Sequence, residues 1–169
     1  MLRAAAQQLP PGVELELYAG LKAIPPFDQD DEAAPAGEVQ RWRAAIEASD
    51  AVLFSTPEYN SSIPGQLKNA VDWASRPKAE AALLNKPVAV MGASLSMFGG
   101  LWAQAELRKV LSASGARALD GELAVATAHE AFDDDNARLD AELGDALGTV
   151  PEGLIDLARQ RSQPARQAA

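Results

Sequence analysis

Two short stretches of this sequence combine residue types that would hold a ligand by backbone rather than by a reactive side chain. The first, Pro57-Glu58-Tyr59-Asn60-Ser61-Ser62-Ile63-Pro64-Gly65, packs two prolines, a glycine, an asparagine and an aromatic into one turn-rich run. Such a loop is rigid, so its N–H and C=O groups stand at fixed positions before a flat, polar-edged ligand, and Tyr59 can lie against an aromatic ring. The second, Gly92-Ala93-Ser94-Leu95-Ser96-Met97-Phe98-Gly99-Gly100, sets small residues that let backbone approach a ligand closely beside an apolar tip at Met97 and Phe98. A flavin suits that pair of loops. The same pattern also serves two well-turned connections of an α/β domain, and spacing alone leaves both readings open.

Other chemistries have little to work with. The chain has no cysteine, which removes disulfides, thiolate metal sites and a cysteine nucleophile, and fits a reducing compartment. Its one histidine, His129, lies between Ala128 and Glu130 in an expected loop and reads as surface, so no metal site and no catalytic side chain is expected. Ser55, Ser61 and Ser94 lack the G-x-S-x-G surroundings of a hydrolase nucleophile. A net charge of −9 repels phosphate backbones and anionic membranes, which argues against nucleic acid as a partner. No window approaches the roughly 20 apolar residues of a membrane span, and the first ten residues lack the features of a signal peptide. The cytoplasm is the expected location.

The elements that must position the two loops follow from periodicity. With 169 residues the chain is read as one domain, residues 1–160, followed by a polar tail, 161–169. Met1 to Leu9 shows one apolar helical face and stops at Pro10, Pro11 and Gly12. Val13, Leu15 and Leu17 alternate with Glu14 and Glu16, which predicts an edge strand. The acidic run Asp28, Asp30, Asp31 and Glu32, among Pro25, Pro26 and Pro35, reads as a solvated loop. A helix follows from about Gly37 to Ala48, then a buried strand over Ala51 to Thr56, a helix through Leu67 to Ala74, and a second buried strand over Pro87 to Ala93. A helix through Leu107 to Ser114 is opened by Gly99 and Gly100 and closed by Gly115. Ala116 to Ala126 supplies a last strand with a break near Asp120 and Gly121. Asp133 to Asn136 start a helix through Leu139 to Leu147, which Gly148 and Pro151 are expected to break before an apolar patch at Leu154 to Ala158. Alternating strands and helices predict an α/β, doubly wound parallel sheet. Ligands then lie beyond the carboxyl ends of the strands, where both loops stand.

The run PEYNSSIPGQLKNAVDW, Pro57 to Trp73, resembles the signature of the NADPH-dependent FMN reductase family. These are flavodoxin-like enzymes that include quinone, azo-dye and chromate reductases. The Gly-rich loop at Gly92 to Gly100 and the LRKVL helix at Leu107 to Leu111 stand in register with that family, from about Met1 to about Ile155. The resemblance implies a flavodoxin-like sheet of strand order 2-1-3-4-5 and a noncovalent FMN along Pro57, Glu58, Tyr59 and Asn60, with Ser94 contributing from the second loop. It implies NADPH or NADH as electron donor, a small-molecule acceptor such as a quinone, and a homodimer or homotetramer. Lys68, Asp72 and Trp73 read as helix surface or packing, and Met97, Phe98 and Trp102 as either acceptor wall or packing. The sequence departs from the family pattern in one respect: the family's first strand and its G-S-x-R-x-x-S-x-N phosphate loop are missing, Met1 falling inside the first helix. The alternative expectation is therefore a truncated, flavin-poor or inactive partner subunit of the same fold.

Overall fold

A computed structural model of the chain describes residues 1–132 and 141–162. Strand β1, Val52–Thr56, pairs in parallel with β2, Pro87–Ala93, with Val52 opposite Val88 and Thr56 opposite Gly92. The far edge of β2 is shared by two short parallel strands. β3, Arg117–Ala118, pairs with its start, and β4, Ala124–Val125, with its end. The expected break in the last strand thus falls between them, where Gly121 adopts φ +146°. The Arg108 guanidinium donates to the Gly121 carbonyl at 2.9 Å and pairs with Glu122, drawing this bend against the preceding helix.

Parallel strands cannot be joined by a tight turn, and a helix lies between β1 and β2 and between β2 and β3. Helix α1 is Leu2–Ala6, α2 Gly37–Ala48, α3 Gly65–Ala74, α4 Leu101–Ala113, α5 Ala128–Ala131 and α6 Ala141–Ser162. Strand side chains alternate between faces, and the core divides accordingly. Phe54, Val88 and Val90 meet Val39, Trp42 and Ile46 of α2, Leu67, Val71 and Trp73 of α3, and Leu107 and Leu111 of α4. On the opposite face Leu53, Ala89 and Met91 meet Ala4 and Ala5 of α1 and Leu147, Val150 and Leu154 of α6. Helices on both faces of a parallel sheet make the fold a doubly wound, flavodoxin-like one.

Two expectations need correction. Val13 to Leu17 forms no strand, because a strand exists only in a ladder, and β1 is hydrogen-bonded on its β2 side alone among the described residues. Leu17 is accordingly 42 % exposed. The last helix does not break at Gly148 and Pro151: α6 runs through both. Leu147, Val150 and Leu154 lie on one face of it and are buried against the sheet. That burial offsets the roughly 3 kcal/mol cost of an interior proline. Helix α6 reaches Ser162; Asp133 to Asn136, Leu139 and residues 163–169 lie outside the described residues.

Polar groups under the helices are matched with care. The Trp42 indole donates to the Ala70 carbonyl at 2.8 Å, joining α2 to α3. Lys86, 2 % exposed, donates to the carbonyls of Glu47 and Ser49 where α2 ends, a cation at the negative end of the helix. Arg43 lies over the Trp73 ring and donates to the Trp73 carbonyl at 3.0 Å; burial lowers its pKa, while Glu32 and Glu47 act the other way. No helix of the described residues is long and apolar enough to cross a membrane.

Candidate flavin site

The first loop leaves β1 where the Thr56 hydroxyl donates to the Pro57 carbonyl at 2.7 Å. It then reverses over Tyr59 to Ser62. Tyr59 and Ser62 exchange both backbone hydrogen bonds at 3.0 Å, and the two residues between them, Asn60 and Ser61, have φ of +53° and +60°. Two positive φ values inside such a pair are the type I′ pattern, which asparagine tolerates better than most residues. Buried Ile63 anchors the exit, and Pro64 precedes α3. The turn therefore stands rigid, with Tyr59 61 % exposed. Among the described residues, the amides of Glu58, Asn60 and Ser61 have no acceptor within the chain.

The second loop is held from beneath by the segment around β4. Gly92 N–H donates to Leu123 O at 2.9 Å, Ser94 N–H to Val125 O at 3.0 Å, and Ala128 N–H to Ser94 O at 3.0 Å. The Ser94 hydroxyl donates to the Ser96 hydroxyl at 3.1 Å and accepts the Ser96 amide, so it shapes its own loop. Gly99 and Gly100 close the loop at φ +57° and +78°. A side chain at Gly99 would place its Cβ 2.6 Å from the Ala124 carbonyl carbon. Leu95, Met97, Phe98 and Trp102 remain exposed, and the rings of Phe98 and Trp102 sit 4.8 Å apart.

Two contacts join the first loop to α4, the helix that the second loop enters. One Glu58 carboxylate oxygen accepts from the amides of Trp102 at 3.1 Å and Ala103 at 3.2 Å, the first turn of α4. One turn further along, the Ser62 hydroxyl donates to the Glu106 carboxylate at 2.6 Å. Pro57, Glu58, Tyr59 and Asn60 thus stand beside the start of α4, with the Ser94 loop leading into the same helix.

Other residues of the signature run have structural duties that periodicity alone did not reveal. Gln66, Asn69 and Trp73 share one face of α3 and hold the preceding loop. Gln66 donates to Leu21 O at 2.7 Å; the Asn69 amide donates to Pro25 O at 2.8 Å and its oxygen accepts Phe27 N–H at 2.7 Å; the Trp73 indole donates to Pro25 O at 2.9 Å. Their i, i+3, i+7 spacing was the signal available in the sequence. Lys68 and Asp72 pair with each other at 2.7 Å on the half-exposed flank of α3, and Trp73 is buried, as packing predicts. His129 is mostly exposed and lies 3.7 Å from Glu130.

Two concavities lie away from these loops: a groove of about 500 Å³ between the ends of α3 and α4, including Arg76, Leu84 and Val110, and a smaller one beside Ile155 and Arg159. At the two loops themselves Tyr59, Leu95, Met97, Phe98 and Trp102 are exposed. Unpaired amides beside exposed aromatic and apolar side chains fit the polar edge and apolar face of a flavin ring.

The signature of the family described as NADPH-dependent FMN reductase matches residues 1–130. An NAD(P)H-dependent FMN reductase of Pseudomonas aeruginosa is 43% identical over 143 residues, 82% of this chain and 75% of that protein. A quinone reductase of Pseudomonas putida is 42% identical over 110 residues, 64% of this chain and 59% of that protein. The solved structure of FerB, a flavoenzyme NAD(P)H:(acceptor) oxidoreductase from Paracoccus denitrificans, superposes with a TM-score of 0.83 at 34% identity, covering 94% of this chain and 88% of FerB. An oxidoreductase from Corynebacterium diphtheriae, 19% identical, shares the fold at a TM-score of 0.63 over 95% of this chain and 84% of that one. The chain belongs to the NADPH-dependent FMN reductase family and, with it, to the NAD(P)H- and FMN-dependent oxidoreductases.

Proposed function

We propose that this chain passes electrons from a nicotinamide to a quinone-like acceptor at the corner formed by the Tyr59–Ser62 turn and the Ser94–Gly100 loop. The observation that supports the reading is the tie from Glu58 of the first loop to the amides of Trp102 and Ala103, at the start of the helix that the second loop enters. FMN, when bound, supplies the hydride and electron transfer between the two substrates. Pro57 to Asn60 would hold its ring by backbone, with the Glu58 and Asn60 amides available to carbonyl and nitrogen edges and Tyr59 as an aromatic neighbour. Ser94 contributes through the shape of its loop, since its hydroxyl is engaged with Ser96. The ring-binding half of the site is the half these residues fit; none of them is assigned to the phosphate.

The acceptor class rests on shape and on relatives. Leu95, Met97, Phe98 and Trp102 offer an exposed apolar wall on which a flat acceptor can displace water without losing hydrogen bonds. The Pseudomonas putida relative is named a quinone reductase. The same apolar group suits a subunit boundary, and a homodimer or homotetramer is part of this reading. The test is spectroscopic. Protein mixed with FMN and freed of excess should show flavin absorbance that NADPH or NADH bleaches and a benzoquinone restores. Protein that takes up no FMN would overturn the proposal, and bleaching with restoration by oxygen but not by quinone would overturn the acceptor class.

A further inference from the structure

Helix α4 begins without a local cap. Its N-cap is Gly100, in the left-handed conformation and with no side chain to accept from the first amides. Two of those amides, Trp102 and Ala103, are satisfied by the carboxylate of Glu58, more than forty residues away on the other loop. A carboxylate there gains charge-assisted hydrogen bonds and the favourable end of the helix dipole together. The Ser62 to Glu106 hydrogen bond makes a second tie one turn along the same helix, in the opposite sense: there the helix supplies the carboxylate and the loop the donor. The turn between the ties is Tyr59 to Ser62, whose two positive-φ residues leave it little freedom to deform. The first loop is therefore tied at two points to α4, the helix that the second loop enters, each tie made through a carboxylate.

Resting on the function proposed above, we infer that Glu58 is a positioning residue. Its carboxylate fixes the separation of the two loops, and so the width of the flavin slot, by capping α4. Glu58 faces the helix with its side chain and leaves its amide for the ligand. Glutamine can still accept from both amides through its amide oxygen, whereas aspartate, one methylene shorter, falls short and alanine offers nothing.

The test uses the full chain with Glu58→Ala, Glu58→Asp and Glu58→Gln, and Leu154→Ala as a variant destabilised on the far face of the sheet. Amide exchange at Trp102 and Ala103 is followed by NMR in the flavin-free protein, and FMN affinity by quenching of flavin fluorescence, each well below the variant's melting temperature. In Glu58→Ala and Glu58→Asp the two amides should exchange about tenfold faster or more, the size expected for losing a hydrogen bond to a charged group. FMN affinity should fall about tenfold alongside. Glu58→Gln should keep most of both, and Leu154→Ala should lose stability with its FMN affinity unchanged.

Faster exchange in Glu58→Ala with unaltered FMN affinity would overturn the inference, since the cap would then not set the slot. A Glu58→Gln protein that keeps both amides protected yet binds as poorly as Glu58→Ala would also overturn it, by showing that the negative charge acts on the flavin directly. Should Glu58→Ala not fold, the comparison of Glu58→Asp with Glu58→Gln carries the same decision. Failure of the unaltered protein to bind FMN would refute the proposed function and this inference with it, whereas unchanged exchange in every variant would refute the cap alone.

Discussion

Gly99 stands against the backbone of β4, and replacing it by alanine tests that approach. At φ +57° an L-residue pays about 1–2 kcal/mol for the left-handed conformation. The added Cβ would also stand 2.6 Å from the Ala124 carbonyl carbon, 2.8 Å from the Val125 nitrogen and 2.9 Å from the Ala124 oxygen. These are backbone atoms of β4, held to β2 by the ladder, so they cannot rotate aside as a side-chain tip would. Overpacking of this kind costs about 1–3 kcal/mol, for a total of about 2–5 kcal/mol. Gly12→Ala is the matched control: φ is +84°, nothing lies within 4 Å of its Cβ, and only the conformational cost of about 1–2 kcal/mol applies. Both substitutions stiffen the unfolded chain equally, so that contribution cancels in the difference. Urea unfolding of the two variants should differ by about 1–3 kcal/mol, with the melting temperature of Gly99→Ala lower by a few degrees per kcal/mol. Equal losses in both variants would refute the close approach of loop and strand.

Asn60→Val should destabilise by about 1–2 kcal/mol in thermal unfolding, because a β-branched residue resists the left-handed conformation; Asn60→Gly should be near neutral, and identical behaviour of the two would contradict the turn. Gln104 is fully buried with its Oε1 accepting from Leu123 N–H at 3.3 Å and its Nε2 without a partner among the described residues. Gln104→Met keeps the volume, loses that long bond and removes the unpaired donor, so chemical unfolding should change by less than about 1 kcal/mol. A loss above about 3 kcal/mol would mean that the Nε2 group is engaged. Among the described residues the edge of β1 away from β2 carries an unpaired row of backbone groups, and such edges template pairing with further strands. Light scattering should therefore show association rising with protein concentration; a single monomeric mass at every concentration would contradict an open edge.

The two parallel strands were legible because the continuous apolar runs Ala51 to Thr56 and Pro87 to Ala93 admit few other readings. Only β2 is buried nearly throughout; β1, expected to be buried on both faces, buries only Phe54 and Thr56. Helix α2 was legible because Val39, Trp42 and Ile46 recur at helical spacing. Alternation at Val13, Leu15 and Leu17 misled, since periodicity reports which face would be wet and says nothing about whether a neighbouring strand is there to pair with. Pro151 misled in the opposite direction, because a local breaker was overridden by Leu147, Val150 and Leu154 packing on the sheet. The two loops could be picked out from composition, and the family resemblance implies FMN as what they would hold. What could not be read was the partnership between them. Capping patterns are local in sequence, and the acceptor for α4 comes from Glu58, which no rule about residues near Gly100 would find.

The central claim is that FMN lies between the Tyr59 turn and the Ser94 loop, and amide shift mapping addresses it most directly. Adding FMN to isotope-labelled protein should move the backbone resonances of Glu58, Asn60 and Ser61 together with those of Leu95 to Gly100, in a saturable manner and at one common dissociation constant. Shifts confined to the groove near Arg76 and Val110, or none at saturating FMN, would contradict the account.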